Sequence, residues 1–190
     1  MEDILYKYMS RWTSLTKEDQ ETIVNELRVE KFAKDEVLFQ QGDTPAACYF
    51  ILKGCVRQYS IDEDGREVTS NFYTEEQAIA IFNHHKLDNS SDYTFVCAED
   101  SIMVIGDLDK ERDMYNKHPQ LESMTRRMME ENFSQVQEDF AAFIASSPED
   151  RVKTLLMKRP SLINRVPQHQ LASYLGITPE SLSRIKKRIQ

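Results

Sequence analysis

Three side chains near the carboxyl end, Glu180, Arg184 and Lys187, have the types and spacing to read a nucleic acid. At roughly 100° per residue they fall on one side of a helix, with Ser183 and Arg188 on its flanks and Leu182, Ile185 and Ile189 opposite. A helix with one apolar stripe and such a face opposite can lie in a DNA major groove. There Arg pairs with guanine O6 and N7, Glu accepts from cytosine N4, and Ser contacts bases or phosphate. Lys187 and Arg188 would neutralise phosphates without regard to sequence. A carboxylate near phosphates is costly, so Glu180 is tolerable chiefly if it reads a base or orients Arg184. Gln168, His169, Thr178 and Ser181 complete the candidate DNA-contacting set.

These side chains need a rigid frame, and the stretch QHQLASYLGITPESLSRIKK, residues 168–187, supplies one. Leu171, Ala172 and Leu175 give a first helix its apolar face, and Gly176 stands where a helix ends in a left-handed residue. Ile177 can plug the turn, Thr178 is a good N-cap, and Pro179 suits the first position of the next helix. Helix, tight turn, helix is the expected local structure, preceded by a helix over 148–158. Charge agrees. The chain has 24 basic and 32 acidic residues, yet residues 150–190 hold nine basic and two acidic ones, a local net charge of +7 against −15 for the remainder. That asymmetry suggests two bodies with different partners, one of them a polyanion.

Upstream the periodicity changes twice. Short helices are expected over 3–11 and 17–27, the second capped by Thr16. From Val29, the runs VEKF, EVLFQ, CYFIL, CVRQYSI, EVTSNFY, TFVC and IMVIG alternate with turns such as Lys53-Gly54 and Asp64-Gly65, as in an antiparallel sandwich or barrel. A long helix over about 119–145 carries Leu121, Met124, Met128, Phe133, Val136, Phe140 and Phe143 in a near-helical stripe. At 1.5 Å per residue its length, roughly 40 Å, exceeds what a small sandwich can cover, so it reads as a self-association helix. Ser146-Ser147-Pro148 is a plausible hinge. The expected division is a sensor domain over 1–117, a dimerisation helix over 118–146 and a DNA-binding domain over 147–190.

Several function classes are set aside on composition. No apolar run approaches a membrane span, and the acidic start MEDILYKYMSRW lacks the basic region of a signal peptide, so a cytoplasmic protein is expected. Cys48, Cys55 and Cys97 show no CxxC spacing and read as reduced thiols in apolar strands. The adjacent His84-His85 pair cannot easily bind one ion together. No cofactor or metal is expected.

The order of β-rich domain, long helix and basic helix-turn-helix resembles the Crp/Fnr family, that of the catabolite activator and the fumarate/nitrate reduction regulator. The residues of this resemblance are FQQGDTPAACYFILKGCVRQYSIDEDGREVT, 39–69, and VPQHQLASYLGITPESLSRIKK, 166–187. It implies an α+β chain with a β-roll, jelly-roll-like sensor, a parallel homodimer through the long helix, and a helix-turn-helix domain lacking an obvious wing. It further implies transcription regulation at a two-fold site in double-stranded promoter DNA. RNA polymerase and a small-molecule effector are the further partners implied. Glu180 and Arg184 occupy the family's base-reading positions, whereas Pro179 stands where some members have a basic residue. Members that bind cyclic AMP use a Gly-Glu pair for the ribose and an Arg-Ser/Thr pair for the phosphate. Here Ala80-Ile81 and Tyr93-Thr94 stand at those places, so cyclic AMP is not the expected effector. An unknown effector is expected in a cavity bounded by Ile79, Ala80, Ile81, Phe82, Tyr93, Thr94, Phe95 and the long helix. The iron–sulfur type needs N-terminal cysteines, and the first here is Cys48.

Two other readings compete. One is a ligand-binding β-roll module whose basic tail contacts a protein partner. The other is a cupin-like metal enzyme, which needs an H-x-H with further ligands. His84-His85 is the one tight pair, while His118 and His169 lie beside expected helices, so no enzyme is expected.

Overall fold

The computed structural model describes residues 2–79, 88–107 and 111–189. Two helices, α1 (Glu2–Trp12) and α2 (Lys17–Glu26), precede eight strands: β1 (Arg28–Phe32), β2 (Val37–Phe39), β3 (Ala47–Lys53), β4 (Val56–Ile61), β5 (Glu67–Tyr73), β6 (Ala78–Ile79), β7 (Thr94–Cys97) and β8 (Ser101–Asp107). Six helices follow: α3 (Glu111–Lys117), α4 (Pro119–Ala145), α5 (Pro148–Lys158), α6 (Leu162–Arg165), α7 (Gln168–Tyr174) and α8 (Pro179–Ile189). The short elements β6, α3 and α6 have no counterpart in the sequence reading. Each is too brief for a period to show.

The strands form two antiparallel sheets of order β1-β8-β3-β6 and β2-β7-β4-β5. Strand alternation separates two cores. Ile51 and Met103 point between the sheets, where they meet Phe39, Val56, Ile79, Phe95 and Cys97. Their neighbours Leu52 and Val104 point outward and join Leu5, Met9, Ile23, Val24 and Leu121 beneath the helices. Thr16 caps α2 as expected. Its hydroxyl accepts from the Asp19 N–H at 3.2 Å, and the Asp19 carboxylate accepts from the Thr16 N–H at 3.3 Å.

A third core belongs to the carboxyl-terminal unit: Val152, Leu155, Leu162, Val166, Leu171, Ala172, Leu175, Leu182 and Ile185, together with Cys55 and Phe72 from the β-roll. The unit therefore packs against the β-roll, and α7 lies along β5, the last strand of its sheet. A sheet edge exposes unpaired backbone groups; here the Thr69 N–H donates to Ser173 Oγ at 2.9 Å. Helix α4 ends at Ala145, and Ser146 and Ser147 are both extended before Pro148 opens α5. The residues expected to form a hinge thus separate two helices.

Candidate nucleic-acid interface

The turn between α7 and α8 is built as its residues demand. Gly176 has φ +66°, and its N–H donates to Ser173 O while the Ile177 N–H donates to Ala172 O, each at 3.0 Å. This pair of hydrogen bonds closes a helix end on a left-handed residue, a conformation that costs any L side chain. Thr178 Oγ1 then accepts from the Ser181 N–H at 3.2 Å and caps α8. Gln168 Nε2 donates to Pro179 O at 3.1 Å, tying the starts of the two helices together.

On α8 the two faces separate as the angular reading required. Leu182 and Ile185 are 2% and 7% exposed, whereas Glu180, Arg184, Lys187 and Arg188 are exposed and Ser181 and Ser183 half-buried. Gln168, His169 and Thr178 are exposed as well. The Glu180 carboxyl is held below the usual carboxylate range by its own backbone N–H first, then by the Thr178 hydroxyl and the nearby Arg184. Glu180 therefore has a structural use at the helix start, where a negative charge suits the dipole, besides any base it reads. Arg184 Nη2 lies 3.3 Å from Ser181 Oγ and is otherwise directed outward.

The +7 segment resolves into two groups of cations. Six of the nine are used within the chain. Arg165 donates to Glu75 at 2.8 Å, to Glu99 at 2.5 Å and to Gly54 O at 2.7 Å. Arg159 reaches Phe72 O, and Arg151 reaches Leu175 O. Lys158 pairs with Asp139, and both Lys153 and Arg188 pair with Glu149. Arg188, expected on phosphate, is thus turned back onto α5. Among the described residues, Arg184, Lys186 and Lys187 of the segment bond to neither a carboxylate nor a carbonyl oxygen, and all three lie on α8. Sequence reasoning named two of these and missed Lys186, whose half-buried position places it beside the stripe rather than in it.

The expected self-association stripe divides. Leu121 is 6% exposed inside the chain's own sensor core and Met124 packs beside it, so neither belongs to a free seam. Phe133, Val136 and Phe140 stand 62–65% exposed. Phe143 turns to the carboxyl-terminal unit, its ring 3.9 Å beneath the Arg151 guanidinium. Four of the seven positions expected to bound an effector cavity are described, Ile79, Tyr93, Thr94 and Phe95. Ile79 and Phe95 are each 1% exposed in the core between the sheets, with the Phe95 ring 4.5 Å from that of Phe39. Thr94 Oγ1 accepts from the Gln41 N–H at 3.0 Å, and Tyr93 is on the surface. Ala80, Ile81, Phe82, His84 and His85 lie outside the described residues. Cys55 and Cys97 are buried thiols, pushed up to about 12 and about 11 chiefly by desolvation; Cys55 sits in the turn before β4 rather than in a strand.

The cyclic nucleotide-binding domain family matches residues 29–118. The anaerobic regulatory protein of Haemophilus influenzae is 26% identical over 175 residues, covering 86% of this chain and 67% of its own length. The chain therefore spans about two thirds of that relative. Among solved structures, FixK2 of Bradyrhizobium japonicum superposes with a TM-score of 0.69 at 17% identity, covering 86% of this chain and 84% of its own. A transcriptional regulator of the Crp/Fnr family from Eubacterium rectale superposes with a TM-score of 0.67 at 17% identity, covering 97% and 88%. With the β-roll, the long helix and a solvent-facing α8 in that order, the chain is similar in sequence and in fold to the Crp/Fnr transcription regulators.

Proposed function

We propose that this regulator acts as a homodimer on two-fold promoter DNA, with α8 of each subunit in the major groove. The observation behind this reading is the α8 surface: Arg184, Lys186 and Lys187 without carboxylate partners, opposite a buried Leu182 and Ile185. Phe133, Val136 and Phe140 supply the unpartnered apolar seam for the second copy. A dimer reading successive major grooves needs its recognition helices about 34 Å apart. Rotation at Ser146–Pro148 would set that distance. Such rotation has to break the Arg165 contacts with Glu75 and Glu99, so the docked arrangement resists it. RNA polymerase and a small-molecule effector are the further partners that the family reading supplies.

Cyclic AMP is not the controlling ligand in this reading. Tyr93 stands at the place of the phosphate-gripping arginine, and the hydroxyl of Thr94 is used by the Gln41 N–H. A buried phosphate without a cation costs several kcal/mol. Calorimetry with the full chain should show no micromolar binding of cyclic AMP; stoichiometric binding would refute this. The DNA reading is tested by fluorescence anisotropy with random and selected duplexes. Binding that weakens steeply with salt supports it, and no binding at low salt overturns it. No observation favours the alternative in which the basic unit contacts a protein.

A further inference from the structure

A cavity of about 440 Å³ lies outside the β-roll, between the outer face of its first sheet and helices α1, α2, α3 and α4. Small-molecule sites occupy about 300–1,000 Å³. Of the positions expected to bound an effector cavity, the described ones, Ile79, Tyr93, Thr94 and Phe95, are not among its lining residues. Its floor is recessed because Cys48 and Gly106 face each other across β3 and β8; a Cβ at Gly106 would lie 2.5 Å from Cys48 Sγ. Its walls are apolar and adaptable. Five of the chain's eight methionines line it: Met9, Met114, Met124, Met128 and Met129. Unbranched thioether side chains reshape around ligands of irregular outline, and such concentrations recur at binding surfaces.

Charge selects the ligand class. Arg28, the cation in the lining, is paired with Glu30 at 2.5 Å, and the lining carboxylate Glu26 faces Lys117 at 3.5 Å. Asp107 adds a further carboxylate. An anion entering here would meet no uncompensated cation among the described lining residues. Tyr8 and Tyr49 have phenols whose pKa is raised chiefly by burial, so they stay neutral hydrogen-bonding groups near neutral pH.

We propose that this cavity is a binding site for a neutral, largely apolar small molecule with a hydrogen-bonding group, distinct from any cyclic-nucleotide cassette. The site touches the first turns of α4, so its occupancy bears directly on the helix that leads to the seam and the hinge. It does not rest on the DNA reading, because binding is read directly. The test is titration of the full chain with the neutral fluorophore N-phenylnaphthylamine and, separately, with its anionic relative anilinonaphthalene sulfonate. The neutral probe should bind saturably at one molecule per chain, at least tenfold tighter than the sulfonate. Thr125→Trp, which fills the cavity from α4, should weaken it at least tenfold, whereas Met157→Ala, at an exposed methionine elsewhere, should not change it. If Thr125→Trp does not fold, Met129→Phe makes the same test from the adjacent wall. Non-saturable binding, equal binding by the filled variant, or preference for the sulfonate overturns the proposal. So does binding that disappears as chain concentration rises, since a second copy would then occupy the cavity.

Discussion

Arg165 shows how much depends on single side chains in this molecule. Its guanidinium joins a carboxyl-terminal helix to Glu75, Glu99 and Gly54 O, and the Glu75 carboxylate also accepts from the Gly54 N–H at 2.9 Å. Burial pushes the Glu75 carboxyl up, but the hydrogen bonds from Arg165 and Gly54 outweigh it and hold the group below its usual range. A depressed carboxyl stabilises docking fully above the unfolded value, about 4.3, and loses that contribution as pH falls below it. Arg165→Ala should therefore release α7 from β5. Hydrogen exchange is the measurement: the Thr69 amide, held by Ser173, should lose protection while ladder amides of β4 keep theirs, and lowering pH through about 4 should act in the same direction on the wild-type chain after correction for intrinsic exchange. On α8 of the same unit, Arg184→Ala should cost about 1–3 kcal/mol of DNA affinity without lowering thermal stability. Gly176→Ala should do the reverse. A left-handed alanine costs about 1–2 kcal/mol, and the nearby Arg151 Nη1, 3.2 Å from the added Cβ, can move aside, so a fall in Tm with little change in intrinsic DNA contacts is expected.

At the scale of elements, α4 changes surroundings along its length. Its first turns are anchored by Leu121 in the sensor core, its middle presents Phe133, Val136 and Phe140 to solvent, and its end meets Arg151 through Phe143. One helix is thereby in contact with the sensor, the free seam and the DNA-binding unit. Such exposed aromatic residues on a single face need a partner surface. Sedimentation of Phe133→Glu and Phe140→Glu variants should show monomers where the unaltered chain is dimeric, with helix content retained. A monomeric unaltered chain at micromolar concentration would remove the seam from the account.

For the molecule as a whole, internal pairing of cations sets how DNA affinity responds to salt. If all nine cations of the segment in both subunits met phosphates, log K would fall with log salt at a slope of about −16. The three cations per subunit on α8 that no carboxylate or carbonyl oxygen holds give about −5. A slope near the smaller value, reduced in magnitude by about 2 in the dimeric Lys187→Ala variant, is the expected outcome of titrations between low and physiological salt. The same pairing explains the limits of legibility. Helix and strand periods, the Thr16 and Thr178 caps, the Gly176 turn and the buried side of α8 were readable from the chain, because each depends on neighbours within a few positions. The partners of Arg165, at 66 and 90 positions' distance, the assignment of Leu121 to a core rather than a seam, and the methionine-lined cavity depended on which surfaces meet in space. Local sequence determined which faces are apolar, charged or turned, since those follow from backbone geometry and side-chain chemistry. Tertiary structure alone decided which of those faces are covered, because packing brings distant segments together with no period linking them.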